Sequence, residues 1–215
     1  MIIAVDGPAG AGKSTISREI AKKTGITYID TGAMYRAFTL KVLREDIDIG
    51  DIEKIREVLL QTRVDFDEGK IYLDGEYVED EIRGETVTRN VSAVSSIEAV
   101  RNVLVEKQRE IAKRRSSILD GRDIGTVVFP DADLKIFLVA DVEVRARRRM
   151  KENIEKGMDC DFEEMKAEII RRDLADSTRE ISPLKKAEDA VEIDTGNKTI
   201  EELSDEIIRI IEERK

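Results

Sequence analysis

The 215-residue sequence contains no histidine, no tryptophan and a single cysteine. Without histidine, imidazole base catalysis, a Ser-His-Asp triad and histidine-ligated zinc are all excluded. The lone Cys160 excludes an intramolecular disulfide and argues against a thiolate metal centre. Aromatic residues make up only 4% of the chain, whereas charged residues reach 39%.

No apolar run is long enough to span a bilayer, and the first residues predict a strand rather than a signal peptide. We therefore expect a cytoplasmic protein without a membrane partner. The 40% hydrophobic content is enough for the core of one domain, with or without insertions.

The net charge of −10 argues against nucleic acid as the main partner. Arginines are nevertheless concentrated in the last third of the chain, so the sequence predicts a cationic cleft for a small polyanion. These arginines are Arg145, Arg147, Arg148, Arg149, Arg171, Arg172 and Arg179.

The stretch Gly7–Ser14 fits the phosphate-binding loop pattern G-x-x-x-x-G-K-[ST], and an apolar run precedes it. Its glycines allow a tight turn whose backbone N–H groups, with the start of the next helix, face an anion. Lys13 is expected to contact the outer phosphates, and Ser14 to bind Mg²⁺. The loop therefore predicts binding of a nucleoside triphosphate with magnesium.

Apolar runs separated by helical patterns predict an α/β fold in which helices cover both faces of a five-stranded parallel sheet. The phosphate loop falls at a carboxyl end of the sheet, where such sheets bind ligands. Short alternating runs at about 63–80, with turns at Glu68-Gly69 and Asp74-Gly75, predict an inserted antiparallel meander. Capping boxes are expected at Asp161, before a helix reaching about Leu174, and at Thr199.

Three outcomes of triphosphate binding compete: a hydrolytic timer, a motor, and transfer to a small acceptor. A guanine-reading motif is missing, because Asn197-Lys198-Thr199-Ile200 lacks the required acid. A motor usually has a longer chain and consecutive acids after an apolar run, whereas here Asp120 is followed by glycine. Asp120 could order a magnesium-bound water or simply cap its strand.

Phosphoryl transfer to a phosphorylated acceptor needs arginines that hold two groups of phosphate oxygens in line. Candidates occur in three places: Arg36 after the second strand, Arg122 after the third, and Arg172 with Arg179 near the end of a helix. A single surface arginine is more often a solvated charge, so the hypothesis depends on their shared position near the loop.

Three stretches resemble bacterial cytidylate kinases: Gly7–Thr15, Asp30–Arg36 and Asp120–Pro130. The resemblance runs end to end and includes the inserted meander, and Asp120–Thr126 is its most specific part. It implies a P-loop three-layer fold and transfer of the γ-phosphoryl group of ATP to CMP or dCMP. It also suggests a monomer that acts in pyrimidine nucleotide metabolism. Related kinases acting on UMP, AMP or shikimate stay open as alternatives, as do a nucleotide switch and a nucleic-acid-binding module.

The resemblance also implies roles for individual residues. Ser92, Arg101 and Asp123 would read the cytosine edge, which offers an amino donor to a carboxylate. The implied acceptor-binding residues are Asp30, Thr31, Arg36, Ser92, Arg101, Arg122, Asp123, Arg172, Asp176 and Arg179. The implied donor-binding residues are Gly7, Pro8, Ala9, Gly10, Ala11, Gly12, Lys13, Ser14, Thr15 and Arg149. The implied catalytic residues are Lys13, Arg122, Arg172 and Arg179. A polar helix face is the simpler explanation for Ser92 and Arg101.

Three regions follow from the resemblance. The core would comprise 1–30, 98–145 and 180–215, and the region that binds the monophosphate would comprise 31–97. A lid at 146–179 would close over ATP and exclude the water that competes with the acceptor.

Overall fold

The computed structural model describes residues 1–67, 69–155, 157 and 159–214. The chain divides into two compact units. The first unit contains Met1–Tyr28 and the chain from Ser117 onward, and the second contains Ile29–Ser116.

Short apolar runs form the strands, as the sequence predicts. Across the described chain these are β1 (Ile2–Asp6), β2 (Thr27–Asp30), β3 (Val64–Asp67), β4 (Lys70–Leu73), β5 (Glu76–Tyr77), β6 (Ser117–Gly121), β7 (Leu134–Val139) and β8 (Val191–Asp194). A five-stranded parallel sheet has the order β2-β6-β1-β7-β8, and a small antiparallel sheet has the order β3-β4-β5. Both predicted sheets are therefore present, and β1 is the central strand of the parallel sheet.

Two of the helices begin directly after the predicted caps Asp161 and Thr199. The helices are α1 (Lys13–Thr24), α2 (Thr31–Arg44), α3 (Ile52–Gln61), α4 (Glu85–Ser96), α5 (Glu98–Ala112), α6 (Val142–Glu155), α7 (Phe162–Thr178) and α8 (Ile200–Glu212). Thr199 forms the predicted reciprocal capping box with Glu202, and Asp161 accepts N–H bonds from the first turn of α7. Helix α7 runs four residues beyond the predicted end at Leu174, and this extension makes Asp176 a helical residue.

The boundary between the units differs from the sequence-based division at α5. The division assigns 98–145 to the core, whereas the structure groups α5 with the second unit. Val100 and Leu104 of this helix are buried in that unit's hydrophobic core, which accounts for the grouping. The assignment of three functional regions stays a prediction.

The carboxyl ends of three neighbouring strands meet at one edge of the parallel sheet. Asp6 of β1 lies opposite Gly121 of β6 on one side and opposite Phe137 of β7 on the other. The chain leaves this edge into Gly7 after β1 and into Arg122 after β6. Two of the predicted functional stretches therefore start side by side, where parallel sheets bind ligands.

The antiparallel sheet is part of the core of the second unit. Its second turn has φ values of 50° at Asp74 and 88° at Gly75, as a type I′ hairpin requires. Of the other predicted turn, Glu68 lies outside the described residues. Ile71 of β4 is fully buried in one cluster with Phe38 of α2 and Ile55 of α3, so the meander shares the core of the helices.

No helix in the described part of the chain combines the length and the apolar character that a membrane span needs.

Candidate active site

The loop between β1 and α1 has the tight backbone that its glycines predict. Gly7, Gly10 and Gly12 all have positive φ, at 148°, 75° and 85°. A Cβ atom on Gly7 would lie 2.2 Å from the carbonyl oxygen of Leu138, so no other residue fits there. The loop is therefore pressed against the end of β7, with α1 starting directly after it.

Lys13 is buried at the start of α1, and its side chain is 6% exposed. Its Nζ donates to the carbonyl oxygen of Pro8 at 2.7 Å, which curls the side chain back over the loop. Burial lowers the pKa of Lys13 well below its usual value, and the nearby charges of Arg122 and Arg172 lower it further, against Asp120. An anion bound beside this ammonium would relieve both effects.

Ser14 and Asp120 are joined by a hydrogen bond. The Ser14 Oγ donates to Asp120 Oδ2 at 2.7 Å, and the Tyr28 hydroxyl donates to Asp120 Oδ1 at 2.8 Å. Asp120 thus interacts with the phosphate loop as well as ending its strand. Hydroxyl and carboxylate oxygens are hard donors of the kind that Mg²⁺ prefers, so these two residues fit a magnesium ion that also binds phosphate.

Sequence reasoning missed Asp6, the last residue of β1. Its carboxylate accepts the N–H of Ile124 at 2.8 Å and that of Gly125 at 2.7 Å. Burial raises the pKa of Asp6 to about 6, against these two hydrogen bonds. Asp6 therefore fixes the backbone that directly follows Asp123. A carboxylate at the end of an apolar strand, one residue before a phosphate loop, was the available signal.

Helix α7 brings Asp176 to Arg122. The Arg122 Nε donates to Asp176 Oδ2 at 2.7 Å. Burial opposes ionisation of Asp176, but Arg122 and Arg172 outweigh it, so the pKa of this carboxyl lies below its usual value. Asp176 is therefore an anion at neutral pH and can accept further hydrogen bonds.

Arg172 and Arg179 complete the charged cluster on and after α7. Burial and the charge of Arg122 lower the pKa of Arg172 to about 10. The Arg172 Nε is buried without a hydrogen bond among the described residues. Arg179 Nη2 lies 3.5 Å from Asp123 Oδ1, and its Nε donates to the Ser182 carbonyl. The structure thus brings four predicted residues, Lys13, Arg122, Arg172 and Asp176, into one electrostatic cluster beside the loop.

Three further side chains support the loop from positions far along the chain, and sequence reasoning did not assign them this role. Arg148 Nη1 donates to Thr195 Oγ1 at 2.9 Å, and Thr195 Oγ1 donates to the carbonyl of Ala11 at 3.1 Å. Arg145 Nη1 donates to the carbonyl of Ala9 at 2.9 Å. Since the donors come from distant parts of the chain, a local motif could not have revealed them.

Arg149, the predicted adenine contact, lies on the half-buried face of α6. Its Nη1 is 3.2 Å from Glu152 Oε2, a pair one helical turn apart. Arg149 also contributes to the lowered pKa of Arg172, after burial and Arg122. Its contact with adenine stays a prediction.

In the second unit, Asp30 caps α2 and Thr31 is its buried first residue. Asp30 Oδ1 accepts the N–H of Ala33 at 2.8 Å, and its Oδ2 pairs with Arg83 at 3.0 Å. Arg36 donates to Thr88 Oγ1 at 2.9 Å and to the carbonyl of Ile82 at 3.2 Å. Arg36 is therefore oriented by Ile82, just before α4, and by Thr88 in the first turn of α4.

Arg101 is buried, at 2% exposure, although it lies on a helix where a polar outer face was the simpler explanation. Its Nη1 donates to the carbonyl of Ser95 at 3.2 Å, and its guanidinium lies 5.4 Å from the centre of the Tyr35 ring. Ser92 is half-buried on α4, and its carbonyl accepts from the Ser95 hydroxyl. The solvated-face explanation thus fails for Arg101, whereas Ser92 could serve either role.

The sequence model of the cytidylate kinase family matches residues 3–213. The chain belongs to the cytidylate kinase family. It is 53% identical to the cytidylate kinase of Clostridioides difficile over 97% of this chain and 96% of that protein. It is 52% identical to that of Caldanaerobacter subterraneus subsp. tengcongensis over 97% of this chain and 93% of the relative.

Among solved structures, the shikimate kinase of Bacteroides thetaiotaomicron aligns with a TM-score of 0.51. The identity is 15%, over 99% of this chain and 98% of that one. At this identity the likeness concerns the fold alone, which is that of the P-loop kinases. It therefore does not favour shikimate over the nucleotides as acceptor.

Proposed function

We propose that this member of the family transfers the γ-phosphoryl group of ATP to CMP or dCMP, giving ADP and CDP or dCDP. The observation that carries the proposal is the cluster of Lys13, Arg122 and Arg172 beside a phosphate loop, in a chain matched end to end by cytidylate kinases. Burial and the charge of Arg122 lower the pKa of both Lys13 and Arg172, so a bound polyphosphate stabilises these two cations.

The donor triphosphate binds at Gly7–Thr15. The loop's N–H groups and the start of α1 hold the phosphates, and Lys13 stabilises the charge that develops on the transferring group. Ser14 and Asp120 would hold Mg²⁺, directly or through water, and the ion supplies neutralisation of phosphate charge. Arg149 contacts the adenine.

The acceptor is recognised through its base, its sugar and its phosphate. Asp123 accepts from the cytosine amino group, while Arg101 and Ser92 donate to the ring nitrogen and carbonyl. Asp176 accepts from the sugar hydroxyls, which its lowered pKa favours. The acceptor phosphate is held by Arg36, Arg122, Arg172 and Arg179, with Asp30 and Thr31 supporting the start of α2.

Catalysis results from positioning and electrostatics. The acceptor is a phosphate oxygen that is already ionised near neutral pH, so no general base is required, in agreement with a chain that has no histidine. Arg122 and Arg172 neutralise charge on both the donor and the acceptor while the phosphoryl group is in transit. Closure of the region 146–179 over ATP excludes water from the reaction.

A coupled assay of ADP release with a panel of acceptors tests this function. We expect turnover with CMP and dCMP to exceed that with UMP, AMP and shikimate by at least tenfold. Turnover with AMP but not with CMP would refute the proposal. Equal ADP release with and without every acceptor would instead favour a nucleotide switch.

We further propose that the enzyme is a cytoplasmic monomer. We also propose that it has no nucleic-acid partner, because its net charge of −10 disfavours binding to a polyanionic backbone. Light scattering should give the mass of one chain, and single-stranded DNA should not compete with ATP.

A further inference from the structure

A buried ion pair connects helices α6 and α7 to the phosphate loop. Arg145 of α6 and Asp173 of α7 pair with Nη1 to Oδ2 at 2.6 Å. Their side chains are 8% and 23% exposed. Neither residue belongs to the predicted donor or acceptor sites.

Both members of the pair also bond to the same loop residue. Arg145 Nη1 donates to the Ala9 carbonyl at 2.9 Å, and the Ala9 N–H donates to Asp173 Oδ1 at 3.3 Å. The donor and the acceptor of this one peptide residue are thus both held by the ion pair. The next residue, Gly10, packs directly against Arg145, since a Cβ atom on Gly10 would lie 3.2 Å from Arg145 Cβ.

The pair is itself anchored to the sheet. Arg145 Nε donates at 3.0 Å to the carbonyl of Ala140, the residue directly after β7. The planar guanidinium of Arg145 therefore connects the phosphate loop to the end of β7, because its Nε binds Ala140 and its Nη1 binds Ala9. Since the guanidinium is rigid, it fixes the distance between the two.

Stability alone does not account for a buried ion pair, because hydrophobic residues of similar volume stabilise such positions equally well or better. The same two helices already share a second pair, Glu143 of α6 with Lys166 of α7 at 2.7 Å, which is more exposed and has no described bond to the loop. What distinguishes Arg145 and Asp173 is therefore their contact with Ala9.

We propose that Arg145 and Asp173 are positioning residues that hold the phosphate loop in the conformation that binds the donor nucleotide. They act on the donor side of the reaction and not on recognition of the acceptor base. The inference rests on the proposed function only in naming the donor as ATP.

The first test replaces Asp173 with asparagine. Both carboxylate oxygens of Asp173 accept hydrogen bonds, one from Arg145 Nη1 and the other from the Ala9 N–H. In either orientation the asparagine amide sets its NH2 group against one of these two donors, so one of the two bonds is lost while the side-chain volume is kept. We expect the KM for MgATP and the Kd for MgADP to rise about tenfold, because small displacements in a positioned site have effects of this size or larger. The KM for CMP should change less than twofold.

The second test separates positioning from stability. The double variant Arg145→Met/Asp173→Leu replaces the ion pair with apolar contacts, and we expect a melting temperature within a few degrees of wild type. The Kd for MgADP should stay raised by about tenfold, because Ala9 has still lost both partners. Glu143→Gln is the matched control on the same helices and should bind MgADP like wild type.

Three results would overturn the proposal: normal MgADP affinity in Asp173→Asn, recovery of that affinity in the double variant, or equal weakening in Glu143→Gln. If the double variant does not fold, Asp173→Asn and the control decide. MgADP binding is measured without acceptor, so it tests the loop even if the wild-type protein failed to use CMP, which would refute the proposed function instead.

Discussion

The cationic side chains of the two units are held in different ways. In the first unit, burial and the charge of Arg122 lower the pKa of Lys13 and of Arg172, and Arg122 donates a hydrogen bond to Asp176. In the second unit, Arg36 and Arg101 donate to carbonyl and hydroxyl groups, and Arg101 also faces an aromatic ring.

The two arrangements suit two different functions. Neighbouring cations repel one another and a bound polyphosphate offsets this repulsion, so they suit stabilisation of the charge on the phosphoryl group during transfer. A guanidinium oriented by neutral acceptors keeps its direction, so it suits recognition of one group at one place. Substitution of Lys13, Arg122 or Arg172 should therefore mainly change turnover, whereas substitution of Arg36 or Arg101 should mainly change acceptor affinity.

The largest effect is expected for Lys13→Met, which keeps the buried stem and removes the charge. Turnover with every acceptor should fall about 10³-fold, as for other groups that stabilise transition-state charge. Lys22→Met removes an exposed lysine from the same helix and should retain wild-type turnover. Near-normal activity of Lys13→Met in the coupled assay would refute the role of the cluster.

Asp123→Asn should change the choice of acceptor. An amide nitrogen at this position faces the cytosine amino group donor to donor, but it could donate to the carbonyl that uracil has there. We expect kcat/KM for CMP to fall about 10²-fold and that for UMP to hold or rise, because sites built on hydrogen bonds discriminate strongly.

The exposed Asp131→Asn, a few residues further along, is the control for this experiment and should leave the ratio unchanged. An unaltered preference for CMP in Asp123→Asn would remove Asp123 from base recognition.

The parts of the site that depend on consecutive residues could be predicted from the sequence. The phosphate loop is local, since eight consecutive residues determine its backbone, and its three glycines adopt the positive φ values that a tight turn needs. Apolar runs of strand length predict the parallel sheet, and the Asp74-Gly75 dipeptide predicts the hairpin turn between β4 and β5.

Burial of polar groups could not be predicted, because it depends on tertiary packing. Arg101 occupies an ordinary helical position, and its contacts with Tyr35 and Ser95, which lie on other elements, accompany its burial. The same holds for Asp173 and Ala9, which are 164 residues apart in the chain. The family resemblance named Arg101 but not Asp173, and the pattern of residues alone named neither.

A smaller effect is expected for Arg101→Met on the acceptor side. The KM for CMP should rise about tenfold with little change in the KM for MgATP, which is the signature of lost binding energy for one substrate. Arg109→Met, two turns further along α5 and more exposed, is the matched control. A parallel rise of both KM values would show that Arg101 supports the fold instead of reading the acceptor.

The smallest effect concerns Asp6 and is a change in stability. Because the pKa of Asp6 is raised from 3.8 to about 6 in the folded protein, the unfolded chain loses this proton at lower pH. The folded state then binds more protons between these values, so its stability falls as the pH rises and levels off above about 7. From pH 5 to 7.5 this contribution lowers the free energy of unfolding by about 1 kcal/mol.

Urea titrations of wild type and Asp6→Asn at several pH values test this prediction. The variant lacks this titration, so the difference in unfolding free energy between wild type and variant should narrow from pH 5 to 7.5. The corresponding difference for the control Asp131→Asn should stay constant. A gap that widens with pH would mean that the two N–H bonds from Ile124 and Gly125 outweigh burial, and that Asp6 is held as an anion beside the phosphate loop.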